Sequence, residues 1–152
     1  SYLMTGWRLG YNVGPPAFIA SMERLAMALG RPAAAFTQHA GIAALTGPQD
    51  FVLAVNREYE RRRAAVMAAL QQLPHVSMLE PEGAFYVFLD FRHYGTESGV
   101  LAERLLREAG VMLTPGTFYG PGGQGWLRLS FAGALDRTLA GIAAVHHTLE
   151  RW

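Results

Sequence analysis

The sequence predicts an α+β fold: a mostly antiparallel sheet with helices packed on one of its faces. Three observations predict it. From about residue 48 onward the apolar pattern switches between helical and strand periods, in the order helix, two strands, helix, two strands, helix. Glu80-Pro81-Glu82-Gly83 separates two strand-like runs, with Pro suited to the second turn position and Gly to the fourth. The 152 residues are 51% hydrophobic, a length and content that suit one domain, or a small domain plus a piece of another.

The elements follow in chain order. Residues 2–12 read as a short strand stopped by Gly14-Pro15-Pro16. A helix follows, because Phe18, Met22, Leu25 and Leu29 recur at helical spacing before Gly30 and Pro32. A second helix, about 33–45, is apolar nearly all round, which predicts burial on several sides. Thr46-Gly47-Pro48 breaks the chain, and Pro48 suits the start of a long helix closed by Pro74. Phe51, Val55, Tyr59, Val66, Leu70 and Leu73 form its stripe, interrupted by Arg62 or Arg63. The run Arg57 to Arg63, with Glu58 and Glu60 inside it, reads as a solvated helix face, a nucleic-acid patch being the lesser alternative.

Strands are expected at Val76–Leu79 and Ala84–Phe91. Ser98 reads as the cap of a helix over 99–109 that stops at Gly110. A short strand at 111–114, a flexible glycine-rich loop at 120–125 and a strand at 126–131 come next. The last helix carries Leu135, Leu139, Ile142, Leu149 and Trp152. The single strand of residues 1–47 cannot be a stable sheet by itself.

Composition removes several chemistries. All 13 basic residues are arginine, and there is no cysteine. This chain therefore supplies no thiol nucleophile, disulfide or thiolate metal site. Nor does it supply a phosphate-loop lysine, a lysine base or a Schiff-base lysine. A net charge of +1 argues against a dedicated nucleic-acid binder. The five histidines are scattered or adjacent on a helix, and none is placed for a metal site. The first residues resemble neither a translation start nor a signal peptide, and no apolar run nears the roughly 20 residues of a membrane span. The chain is thus expected to be soluble, cytoplasmic and cut from something longer.

Strand alternation then isolates two arginines. Leu127, Leu129 and Phe131 share one face of their strand, while Trp126, Arg128 and Ser130 share the other. The apolar trio must face the helices, so Arg128 points from the opposite side. The neighbouring strand is apolar on both faces, which predicts a covered surface there and an arginine that needs an anion. Its partner is either an acid of this chain, such as Asp90, or a ligand carboxylate held bidentately. Arg8, in an apolar segment flanked by Gly6 and Gly10, poses the same choice between a salt bridge and a phosphate or carboxylate.

Four blocks of sequence carry a resemblance. Met4 to Tyr11, Pro81 to Phe88, Ala109 to Gly116 with Phe118 and Gly120, and Trp126 to Ala132 resemble, in order, segments of class I/II aminotransferases. These are fold-type I enzymes that use pyridoxal 5′-phosphate. The resemblance implies that residues 1–47 are a remnant of the large cofactor-binding domain and residues 48–152 the C-terminal small domain. It implies that Arg8 binds the cofactor phosphate and Arg128 the substrate α-carboxylate. The Schiff-base lysine would stand immediately before Ser1, so no catalytic residue of that kind lies in this chain. An amino acid and a 2-oxo acid are the implied substrates, and a homodimer the implied assembly. The fragment alone is expected to bind cofactor poorly and not to transaminate. The rival readings are a non-catalytic α+β binding or assembly domain, or the same part of a related lyase or decarboxylase.

Overall fold

The structure, a computed structural model, describes residues 2–30 and 32–152. Ser1 and Arg31 lie outside the described residues. Two compact units are present, one ending at Asn56 and the other running from Arg57 to Trp152.

The first unit holds helices α1 (Pro16–Leu29) and α2 (Ala35–Thr46) and the start of α3 (Asp50–Leu70). Pro at the first position of α1 fits, since its missing N–H would have no intrahelical partner there. The strand expected at 2–12 does not form. Thr5–Trp7 make a 3-10 turn, and Leu3 and Arg8 both adopt left-handed backbone angles (φ 54° and 53°) that end any extended run. A strand needs a ladder partner for its N–H and C=O groups, and among the described residues of this unit there is none. The expected burial of α2 on several sides is also absent. Only Thr37 and Gly41 are buried on it, the latter under the Leu9 side chain, because no second apolar layer covers the helix.

The second unit is a four-stranded antiparallel sheet of β1 (Ser77–Met78), β2 (Tyr86–Asp90), β3 (Thr114–Pro115) and β4 (Trp126–Ser130), in the order β1-β2-β4-β3. With α4 (Ser98–Ala109), α5 (Leu135–Leu149) and the end of α3 it gives the α+β architecture, helices on one face. Val87 and Leu89 of β2 pair with Leu129 and Leu127 of β4, and all four are buried. They pack with Phe91 and Phe131 against Val66 and Leu70 of α3, Leu101 and Leu105 of α4, and Ile142, Val145 and Leu149 of α5. Each such side chain contributes about 1.5–3 kcal/mol on leaving water, which makes this cluster the main support of the unit.

The arginines that break the α3 stripe are not merely solvated. Arg62 Nη1–H donates to the carbonyls of Ala132 (3.1 Å) and Gly133 (2.7 Å), and Arg63 Nη1–H donates to that of Pro81 (2.8 Å). They tie the helix to the loop before β2 and the loop after β4, which lie at the same end of the sheet. Helix α4 stops where expected, at Gly110 in the left-handed region (φ 68°). Its capping differs. Glu97 occupies the N-cap without a side-chain bond, and Ser98 is already helical.

Candidate functional site

The open face of the sheet carries the chemistry. In register, Phe88 of β2, Arg128 of β4 and Thr114 of β3 lie side by side, with Tyr86 and Ser130 as the next pair along. The face that alternation predicted to be covered is uncovered here: Phe88 and Ser130 are exposed, and Tyr86 and Arg128 half-buried. No helix of this unit packs on that side, so its apolar residues stand free.

Arg128 sits in an aromatic cradle. Its Cζ is 4.1 Å from the centre of the Tyr86 ring and 4.9 Å from that of Tyr119. Tyr119 in turn meets Phe88 edge-on at 5.4 Å. The negative ring faces hold a cation there, but they replace no hydrogen-bond acceptor. The buried Nε of Arg128 accordingly has no hydrogen-bond partner among the described residues. A buried unpaired donor costs about 1–3 kcal/mol, and more when charged, so this group is set to take an acceptor from outside the chain.

Asp90, the internal partner weighed from sequence, does not serve. Its carboxylate accepts from Arg92 through Nη2 (2.6 Å), Nε (2.9 Å) and the backbone N–H (3.0 Å). The Arg92 hydrogen bonds hold the Asp90 carboxyl below the ordinary carboxylate range and raise the arginine in turn. Asp90 is also opposite Trp126 rather than Arg128, two positions along the strand. With its own arginine attached, it leaves Arg128 unneutralised.

Arg8 lies in the first unit, at the end of the 3-10 turn, and it is exposed rather than buried as the segment's apolar character implied. Its side chain makes no ion pair among the described residues. A Cβ placed on Gly6 or Gly10 meets nothing within 4 Å, so the space that those glycines leave is open. An exposed guanidinium beside two bare backbone stretches suits a phosphate.

The glycine-rich loop, expected to be flexible, is tightly built. Two 3-10 turns, Gly116–Tyr119 and Pro121–Gly123, fold it back on itself. A Cβ on Gly116 would stand 2.5 Å from the Gly123 carbonyl oxygen, and one on Gly123 would collide with the Gly116 carbonyl. Backbone packed against backbone leaves no room for swing. The role of Tyr119 at the edge of this loop was missed in the sequence; the aromatic spacing gave no sign of it, because its ring reaches Arg128 through the loop fold.

A cavity of about 380 Å³ lies beside β4, the 110–114 segment and α5; aliphatics such as Leu70, Ile142 and Val145 line it together with Arg128, Ser130 and Arg137. No Asp, Glu or His side chain lines it, so it offers no acid–base pair. Among the described residues there is no group of three or more His, Asp or Glu side chains placed to hold a metal. No helix among them is long and apolar enough to cross a membrane.

Comparison with known proteins bears on this geometry. The family model for aminotransferase class I and II matches residues 1–145. An aspartate aminotransferase of Pyrococcus horikoshii is 36% identical over 152 residues, covering 99% of this chain and 39% of that protein. A probable aspartate/prephenate aminotransferase of Aquifex aeolicus is 36% identical over 155 residues, again covering 99% and 39%. Among solved structures, an aromatic aminotransferase from Pyrococcus horikoshii superposes with a TM-score of 0.89 at 31% identity, covering 97% of this chain and 40% of that one. The chain thus spans about two fifths of the length of the relatives it matches.

Proposed function

The chain belongs to the aminotransferase class I and II family, and from that premise we propose that it is the C-terminal part of an enzyme moving an amino group between an amino acid and a 2-oxo acid with pyridoxal 5′-phosphate. The observation that carries this reading is Arg128, whose buried Nε lacks a hydrogen-bond partner among the described residues inside an aromatic cradle on the open sheet face. Guanidinium geometry matches a carboxylate with two parallel N–H···O bonds, and Arg128 is assigned the substrate α-carboxylate. Tyr86 and Tyr119 restrict the guanidinium and shield it from water, so that little side-chain freedom is lost on binding.

Arg8 is assigned the cofactor phosphate. The residues present fit that group, since Arg8 is exposed, has no acidic partner among the described residues and is flanked by glycines with open space. When bound, the cofactor acts as the electron sink of the reaction, and the protein supplies orientation and charge. What this chain contributes is placement: Arg128 fixes the carboxylate end of the substrate, and Arg8 fixes one end of the cofactor. This chain has no lysine, so it supplies no amine to join the cofactor. Residues 1–47 are assigned to the large cofactor-binding domain and 48–152 to the small domain. The full-length enzyme is read as a cytoplasmic homodimer.

The test has two arms. The full-length protein, loaded with pyridoxal phosphate and offered a panel of amino acids and 2-oxo acids, is expected to form the exchanged pair. The 152-residue chain alone is expected to develop no cofactor absorption band and no activity. Release of carbon dioxide or elimination products by the full-length protein, without amino transfer, would move the reading to a related lyase or decarboxylase.

A further inference from the structure

Ser98 is fully buried, yet its hydroxyl does not cap the helix that it begins. The Oγ–H donates to the Gly123 carbonyl at 3.1 Å, and Oγ accepts from the Gly125 N–H at 2.8 Å. Both partners belong to the glycine-rich loop, more than twenty residues away in sequence. Gly125 has φ +79°, its carbonyl accepts from the Phe91 N–H at 2.9 Å, and it leads directly into β4 and Arg128. Gly123 is the residue whose backbone packs on Gly116. The serine hydroxyl therefore holds the C-terminal foot of the loop on the start of β4. The loop body between Gly116 and Gly123 carries Tyr119 back over Arg128.

We propose that Ser98 is a positioning residue for substrate-carboxylate binding: its hydroxyl fixes the loop that lays Tyr119 on the Arg128 guanidinium. This rests on the assignment of Arg128 to the carboxylate. Ser98 touches neither substrate nor cofactor and acts through Tyr119 and Arg128. Removing the hydroxyl leaves the buried Gly125 N–H and the half-buried Gly123 carbonyl unpaired, a loss that the loop relieves by shifting. The aromatic wall on Arg128 then loosens, and the cost falls on binding rather than on the chemical step.

The experiment uses the full-length enzyme, with KM and kcat measured for its best amino acid donor. Ser98→Ala is expected to raise KM about 10-fold, with kcat falling by a smaller factor. Ser98→Thr, which keeps the oxygen, is expected to restore KM to near the wild-type value. Leu101→Ala, a buried truncation in the same helix, is expected to lower Tm without raising KM. Should Ser98→Ala fail to fold, Ser98→Cys, close in size but a weaker hydrogen-bond partner, takes its place with the same expectation. An unchanged KM in Ser98→Ala or Ser98→Cys overturns the proposal, as does an equal KM rise in Leu101→Ala. A wild-type enzyme inactive on every donor overturns the aminotransferase reading and this inference with it; an active wild type and an indifferent Ser98 overturn this inference alone.

Discussion

Arg128 has two aromatic faces beside it and no carboxylate partner among the described residues, which makes its shape as important as its charge. Lysine keeps the charge but loses the planar fork and the stacking. In the full-length enzyme, Arg128→Lys is therefore expected to raise KM for the amino acid by roughly 10–100-fold, the loss of one good charge-assisted hydrogen bond. Steady-state kinetics checks this, and a KM within twofold of wild type, about 0.4 kcal/mol, would remove Arg128 from the carboxylate site. Glu58 offers a second test at the same scale. Hydrogen bonds from Arg61 and Arg62 hold its carboxyl at about 2, against an ordinary 4.5. A lowered folded value means stability that is present above about 4.5 and lost as pH falls toward about 2. Glu58→Gln should therefore lower Tm near neutral pH and match wild type near pH 2, the gap closing across that window. The effect is modest because the pair is solvated. Melting curves at several pH values read it, and a gap that persists at low pH would show that Glu58 acts through something other than its charge.

The glycine-rich loop shows what an element adds to its residues. Gly122 and Gly123 are adjacent and chemically identical, but a Cβ on Gly122 meets open space while one on Gly123 meets backbone. Gly123→Ala is expected to destabilise by about 1–3 kcal/mol and Gly122→Ala by less than about 0.5, a difference that denaturant titration resolves. Equal effects would mean that the two turns do not pack as described. This distinction was not visible in the sequence. Composition there pointed to a flexible loop, whereas its rigidity comes from Gly116 meeting Gly123 and from Ser98 reaching both Gly123 and Gly125 across the unit. By contrast, the faces of β2 and β4 were legible, because alternation alone separates Leu127 and Leu129 from Arg128. The helices after residue 48 were legible for the same reason, each with an apolar stripe and a breaker. What failed was each expectation that needed a second layer. The strand at 2–12, the buried α2 and the covered face around Phe88 all presumed partners that the pattern of one segment cannot supply.

At the scale of the molecule, the two units differ in how they exclude water. Every buried hydrophobic residue lies at or beyond Val66, within the second unit. In the first, Phe18, Leu25, Leu29, Phe36, Ile42 and Leu45 are all exposed, and α1 buries no residue at all. Helices of 14 and 12 residues are marginal in water on propensity alone, so α1 and α2 depend on tertiary burial that this unit does not provide. Opening free energy should follow that burial. In the dilute 152-residue chain, backbone amides of α1 and α2 are expected to exchange with solvent at least about 100-fold faster than those of β2, β4 and α5. The same exposed surface should favour association, and raising the protein concentration should slow exchange in α1 and α2 while leaving β4 unchanged. Hydrogen exchange followed by mass spectrometry at two concentrations reads both effects. Equal protection of α1 and β4 in dilute solution would show that the first unit is stabilised by something other than apolar burial. Protection that never changes with concentration would show that its exposed apolar helices do not pair with a second copy.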